Sequence, residues 1–239
     1  MNLHEFQAKD LLEQYGISVS KRSLIRKKDD IERAASLINA DAGCVAKVQA
    51  HTGGRGKVGG VKVCKGISDI NAFVDQWLGK RVVTTQTGNE GLPVNIISLE
   101  TLTDISKELY LSFIVDRVNK SVSIILSPSG GMNIEEVAKK TPDKIFNIQL
   151  DHNFEYSNME LEKLAPKLGL NSTQTLQLKS ILNKCSKLFI DKDLSLLEIN
   201  PLVVTNFGDL MCLDAKINVD DNALFRHEDI MKLKDTSQE

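Results

Sequence analysis

Five of the eight residues from 53 to 60 are glycine, within the run His51-Thr52-Gly53-Gly54-Arg55-Gly56-Lys57-Val58-Gly59-Gly60. No other stretch limits the fold as strongly. Glycine loses more backbone freedom on folding than any other residue, so a cluster this dense is costly unless bare backbone is needed there. Uncovered backbone N–H groups are what a phosphate needs from a protein loop. Arg55 and Lys57 add positive charge. The runs 44–50 and 60–64 on either side read as strands, so the glycines form a turn between two strands.

Three phosphate motifs can be tested on this run. A P-loop requires glycine five residues before Gly56 and serine or threonine after Lys57; His51 and Val58 stand there. Gly54-x-Gly56-x-x-Gly59 matches the dinucleotide pattern, but that pattern leads into a helix and here it leads into Val61-Lys62-Val63. The glycine loop of protein kinases is a strand–turn–strand flap over ATP phosphates. The chain has no His-Arg-Asp or Asp-Phe-Gly, so only the flap geometry carries over. Lys47, on the strand entering the flap, then offers an ammonium to phosphate oxygens. The plain alternative is a hairpin without ligand, with Lys47 a solvated lysine.

The rest of the chain supports an ordinary folded domain. With 239 residues, 41% hydrophobic and 26% charged, it has enough length and apolar content to bury a core. A net charge of −2 carries no nucleic-acid signature. No apolar run approaches the ~20 residues of a membrane span, and the N-terminus has no secretory pattern. Cys44, Cys64, Cys185 and Cys212 lack zinc-site spacing and read as reduced core residues of a cytoplasmic protein.

Helical spacing marks Ala8, Leu11, Leu12 and Tyr15, with Asn2 and Glu5 as the capping pair and Gly16 as the stop. It also marks Ile31, Ala34, Ala35 and Ile38. A third helix carries Ile70, Phe73, Val74, Trp77 and Leu78, capped by Ser68 and stopped by Gly79. Two later ones carry Leu161, Leu164, Ala165 and Leu168, then Leu178, Ile181, Leu182, Cys185 and Phe189. Strands are expected over 94–100, 109–115, 122–126, 144–150, 194–200 and 210–216. Tight turns join several strands while helices separate others, which predicts an α+β fold. A seam is expected near Glu100–Asp104, where a strand gives way to a short polar stretch.

Glu198 and Asn200 are two apart and share a strand face. A three-residue loop, 206–208, with Gly208 left-handed, is a favoured hairpin closure. It pairs Thr205 with Asp209, Asn200 with Asp214, and Glu198 with Lys216. Four polar side chains are thus expected to converge in an apolar hairpin. A few hard oxygen donors suit Mg²⁺, which takes its remaining ligands from water and phosphate. The alternative is cross-strand pairing of Glu198 with Lys216 on a solvated face. Of the histidines, only His51 borders the flap; His4, His152 and His227 read as structural or solvated.

Lys47 and the flap, followed by Glu198-Ile199-Asn200 and Asp214, resemble the ATP-grasp arrangement. Four segments resemble the succinyl-CoA synthetase (succinate–CoA ligase) β subunit family: Met1-Asn2-Leu3-His4-Glu5-Phe6-Gln7-Ala8-Lys9, His51-Thr52-Gly53-Gly54-Arg55-Gly56-Lys57, Leu197-Glu198-Ile199-Asn200-Pro201-Leu202 and Asn222-Ala223-Leu224-Phe225-Arg226. They occur in order over the whole chain.

The resemblance implies an ATP-grasp fold of two α/β lobes with nucleotide between them: a smaller lobe, 21–100, and a larger one, 1–20 with 101–239. Lys47, Gly54, Arg55 and Gly56 would grip the phosphates of ATP or GTP. Glu100 and Thr103 would lie near the base and Glu108 near the ribose. Asn200 and Asp214 would hold Mg²⁺. Glu198 would act catalytically, facing a histidine of the α subunit that accepts the phosphoryl group. The implied partner is that α subunit, in a heterodimer or heterotetramer. The implied reaction converts succinate and CoA to succinyl-CoA in the citric acid cycle, in bacterial cytosol or mitochondrial matrix.

The sequence departs from the family in two ways. The family's β subunit continues into a flavodoxin-like domain that helps bind succinate and contacts α; this chain stops before it and is not expected to complete the reaction alone. Ser129 stands before Gly130-Gly131, where the family usually has an acidic residue. A related acid–CoA ligase, such as one acting on malate, and a nucleotide-binding docking module without catalysis are the rival readings.

Overall fold

The buried apolar side chains sort into two separate cores. In this computed structural model, residues 1–151 and 153–238 are described; His152, expected to be structural or solvated, and Glu239 lie outside the described residues. The chain divides into two compact units. One joins Met1–Val19 to Asp104–Lys234; the other is Ser20–Thr103 with the tail from Asp235.

In chain order the first unit begins with helix α1 (Glu5–Gln14). The second contains β1 (Arg22–Ile25), α2 (Ile31–Ile38), β2 (Cys44–Gln49), β3 (Val61–Cys64), α3 (Ile67–Trp77), β4 (Arg81–Val82), β5 (Leu92–Pro93) and β6 (Ile96–Thr101). The first then resumes with β7 (Ile105–Asp116), β8 (Ser121–Ser127), α4 (Ile134–Lys140), β9 (Phe146–Gln149), α5 (Asn158–Leu164) and α6 (Ser172–Asp191). It ends with β10 (Leu194–Thr205), β11 (Leu210–Cys212), β12 (Ala215–Val219) and α7 (Glu228–Met231).

In the smaller unit, a four-stranded antiparallel sheet runs β1-β6-β2-β3. Alternation along each strand sends one set of side chains into the core. Ala46, Val48, Ile97 and Leu99 pack with Ile31, Ala34, Ala35 and Ile38 of α2 and with Ile70, Phe73, Val74 and Trp77 of α3. The intervening positions on β2 and β6 carry Lys47, Gln49, Ser98 and Glu100, all buried. This sheet is therefore apolar on one face and polar on the other.

The larger unit repeats the plan. Its six-stranded antiparallel sheet runs β11-β10-β7-β8-β9, with β12 also on β10. Leu109, Leu111 and Phe113 of β7 and Leu197 and Ile199 of β10 enter a core with Leu178, Ile181, Leu182, Cys185, Leu188 and Phe189 of α6. Those α6 residues recur at helical spacing. Burying each large apolar side chain contributes roughly 1.5–3 kcal/mol relative to exposure. Asn171 caps α6 by accepting from the Gln174 N–H, while Gln174 Oε1 accepts from the Asn171 N–H (2.9 and 3.0 Å).

Several local expectations are corrected. Helix α1 is capped at His4, whose N–H donates to Gln7 Oε1 at 2.9 Å. Asn2 instead bridges to Asn218, so Asn2 and Glu5 are not the capping pair. Glu5 is used deeper, paired with Lys9 one turn on (2.9 Å), both buried. Helix α3 starts at Ile67 after Gly66, not at a Ser68 cap. The Asp69 carboxylate accepts from the Lys65 N–H at 2.8 Å and closes the turn ahead of it. The strand expected over 144–150 is confined to β9, because Pro142–Lys144 makes a 3-10 turn.

All four cysteines are free and buried. Burial pushes the thiols of Cys44 and Cys212 up to about 12, so they behave as apolar core residues. Among the described residues, no helix is long and apolar enough to cross a membrane.

Candidate functional site

Strands β2 and β3 pair antiparallel with Lys47 opposite Val61, and the glycine run joins them. Its centre, Arg55–Val58, is a short 3-10 turn. The ends of the run are anchored. Trp77 Nε1 of α3 donates to the Gly59 carbonyl at 3.1 Å, and the Gly60 N–H donates to the Arg55 carbonyl at 2.8 Å. A Cβ at Gly60 would lie 2.8 Å from Val48 Cγ2. The middle is open: at Gly54, Gly56 and Gly59 an added Cβ would meet nothing within 4 Å. Gly54 and Gly59 have positive φ, +72° and +79°, which favours glycine on backbone grounds. Gly56 has neither a close neighbour nor a positive φ.

Arg55 turns inward. Its side chain is buried and its guanidinium donates to the Val48 carbonyl at 2.8 Å. Its charge fastens the flap to β2, while Lys57 stays exposed at the tip.

Lys47 lies on the polar face of the sheet with its ammonium 3.0 Å from Glu100 Oε2. Glu100 also accepts from Ser20 Oγ at 2.8 Å. Sequence reasoning assigned these two residues to different ends of a nucleotide; within the smaller unit they form one buried ion pair. The contact to Glu100 orients the Lys47 ammonium. Thr103 is half-buried and ends the continuous part of this unit.

In the larger unit the hairpin has the register its loop length implies. Thr205 N–H donates to the Asp209 carbonyl (2.8 Å) and Asn200 N–H to the Asp214 carbonyl (3.1 Å), while Glu198 stands opposite Lys216. Gly208 has φ +90°. Glu198 and Asn200 find side-chain hydrogen-bond partners outside the hairpin. Lys216 is exposed. Glu198 is half-buried, and its Oε2 accepts from the Tyr110 hydroxyl at 3.0 Å. Burial holds the Glu198 carboxyl above the usual carboxylate range, with Tyr110 and Lys216 opposing the shift and Glu135 adding to it.

Asn200 reaches a second glycine turn. Its Oδ1 accepts from the Gly131 N–H and its Nδ2 donates to the Met132 carbonyl, both at 2.8 Å. The same turn packs on Glu108: the Gly130 N–H donates to the Glu108 carbonyl (3.2 Å). A Cβ at Gly131 would overlap the Glu108 carboxylate, 3.1 Å from its Cδ. Glu108 and Asn200, assigned to ribose and metal, are thus linked through Gly130–Met132. Asp214 is half-buried beside them in the hairpin.

Among the described residues, no three His, Cys, Asp or Glu side chains gather as a metal cluster. The Asn200 and Asp214 donor set is one amide oxygen and one carboxylate. That fits an ion such as Mg²⁺, which binds few protein oxygens and keeps water and phosphate ligands. The open centre of the flap likewise fits an anionic group approaching bare backbone.

A sequence model described as the ATP-grasp domain matches residues 2–204. The chain belongs to the ATP-grasp family. The ATP-grasp chain is 48% identical over 238 residues to the succinate–CoA ligase [ADP-forming] subunit β of Haemophilus influenzae (strain PittEE) and 46% identical over 239 residues to that of Thioalkalivibrio sulfidiphilus. Both alignments cover 100% of this chain but only 61% and 62% of the relatives, so it spans about three fifths of their length. In fold it resembles ATP citrate lyase from Methanothrix soehngenii (TM-score 0.71, 18% identity, 94% of this chain and 52% of that one). It also resembles a dinucleotide-forming acetyl-coenzyme A synthetase from Ca. Korarchaeum cryptofilum (TM-score 0.65, 17% identity, 92% and 93%). At such identities the likeness is one of fold. The family implies use of a nucleotide, and the named relatives are β subunits.

Sequence reasoning missed Tyr110 and Gly131. The signal for Tyr110 was present: Glu108, Tyr110 and Ser112 alternate with Leu109, Leu111 and Phe113, a polar stripe along one face of an apolar strand.

Proposed function

We propose that this chain is the nucleotide-binding, phosphoryl-transfer part of a succinate–CoA ligase β subunit, acting in the cytoplasm with an α subunit. The observation that carries the reading is the open centre of the flap. Three glycines of the run, Gly54, Gly56 and Gly59, present backbone with no protein atom where a side chain would stand. Identity to named β subunits along the entire chain supports it.

The residue roles are those that the family resemblance implies. Lys47 and the backbone of Gly54, Arg55 and Gly56 hold the β- and γ-phosphates of ATP or GTP. Arg55 acts through its backbone, since its guanidinium fastens the flap. Glu100 orients the Lys47 ammonium; Thr103 and Glu108 bind toward the base and ribose. Asn200 and Asp214 hold Mg²⁺, which when bound neutralises charge on the phosphates. Glu198 accepts an N–H of the partner's histidine, which leaves the other ring nitrogen as the nucleophile. That nitrogen takes the γ-phosphoryl group and nucleoside diphosphate leaves. The phosphorylated histidine then drives succinate and CoA to succinyl-CoA.

Calorimetric titration with ATP, GTP and ADP, with and without Mg²⁺, tests the reading against an Asn200→Ala/Asp214→Ala variant. The expected result is Mg²⁺-dependent triphosphate binding that the double variant loses. A folded protein that binds no nucleotide even with its partner subunit added would sink it.

A further inference from the structure

Tyr110 and Ser112 lie two apart on β7 and share a face. Ser112 stands directly opposite Glu198 on β10, and Tyr110 is the diagonal neighbour. Tyr110 is 3% exposed, and its hydroxyl donates to Glu198 Oε2 at 3.0 Å. Ser112 is fully buried, and its hydroxyl lies within hydrogen-bonding reach of the Tyr110 phenol.

We propose that Tyr110 is a positioning residue for Glu198, with Ser112 supporting the phenol from behind. The inference rests on the reading that Glu198 faces the partner's histidine. By occupying Oε2, the phenol fixes the carboxylate plane and leaves Oε1 as the acceptor for an incoming imidazole N–H. A glutamate side chain otherwise samples many rotamers, and ordering it in advance removes that cost from the transfer step. Ser112 acts one step further back, by holding the phenol in place. Tyr110 bonds to Glu198 and is not among the residues assigned to nucleotide or metal, so its loss should act on turnover and not on nucleotide capture.

The test uses the complete two-subunit enzyme, with Tyr110→Phe, Ser112→Ala, Glu198→Gln and the Tyr110→Phe/Glu198→Gln double variant. A hydrogen bond to a charged group is involved, so Tyr110→Phe is expected to lower kcat about tenfold. The KM for nucleotide and the melting temperature should stay unchanged. Ser112→Ala should lower kcat less. The double variant should be no slower than Glu198→Gln alone, because Tyr110 acts only through that carboxylate. If Glu198→Gln cripples turnover while Tyr110→Phe does not, or if the two losses multiply, the positioning role is overturned and the Glu198 assignment survives. If Glu198→Gln keeps full kcat, the assignment itself fails and the role of Tyr110 falls with it.

Discussion

At Gly54, Gly56 and Gly59 an added Cβ would meet no atom within 4 Å, whereas at Gly130 it would sit 2.6 Å from both the amide nitrogen and the carbonyl carbon of Leu109. Both regions are glycine-rich turns beside candidate site residues, and by composition the first looks like the more structural, having more glycines. The packing says the reverse. Gly130 and Gly131 are glycine because strand β7 and the Glu108 carboxylate leave no room. In the flap only the flanking glycines are confined, as at Gly60 against Val48. Gly56 is crowded by nothing and no φ demands it, so in this charged turn its bare backbone is free to meet an anion.

The comparison can be broken from its packed side. Gly130→Ala should cost about 3 kcal/mol, since the obstructing atoms are backbone in the middle of the six-stranded sheet and cannot move aside. Urea unfolding would measure it. A loss within error would mean the turn relaxes freely and the contrast with the flap is empty. Gly131→Ala should cost less, about 1–2 kcal/mol, for a different reason. Its φ of +69° strains any residue with a Cβ, but the crowding atom is the end of an exposed glutamate that can swing away. Removing that carboxylate, in Gly131→Ala on a Glu108→Ala background, should recover the crowding part and leave only the backbone strain. If the two substitutions simply add, Glu108 does not crowd this turn.

Much of the fold was legible because it depends on periodicity. The apolar residues of α6 recur at helical spacing and lie in the core. The loop closed by Gly208 fixed the hairpin register, with Glu198 opposite Lys216. Strand β1 was not legible: it has four residues, three of them only half-buried, too short and too mixed to show alternation. Two local signals were ambiguous in kind. Asn2 with Glu5 and His4 with Gln7 have the same spacing, and what decided between them was the bridge that takes Asn2 to Asn218. The site was harder for the same physical reason. Sequence spacing places Lys47, Glu198 and Asn200 on strand faces, but their partners Glu100, Tyr110 and Gly131 come from distant strands and turns. Long-range partners have no local period to read. Arg55 shows the limit most plainly: charge and position suggested a phosphate contact, while its guanidinium turns back to the Val48 carbonyl.

The open side of the comparison gives the smallest expected change in stability and the most telling one. Gly56 lies in a 3-10 turn without positive φ, and nothing surrounds its Cα on the side a methyl would occupy. Replacing glycine by alanine at a backbone position alanine can adopt reduces the freedom of the unfolded chain and stabilises by about 0.4–1 kcal/mol. Gly56→Ala should therefore melt no lower than the parent, and slightly higher. If bare backbone at Gly56 is what a phosphate approaches, the same methyl stands in its path, and triphosphate affinity should fall about tenfold, the worth of one hydrogen bond to a charged group. A protein that is more stable yet binds worse cannot be explained by damage to the fold, because the two readings move in opposite directions. Unchanged affinity in the stabilised variant would show that the phosphate does not approach there, and would leave the flap's open glycines without the role proposed for them.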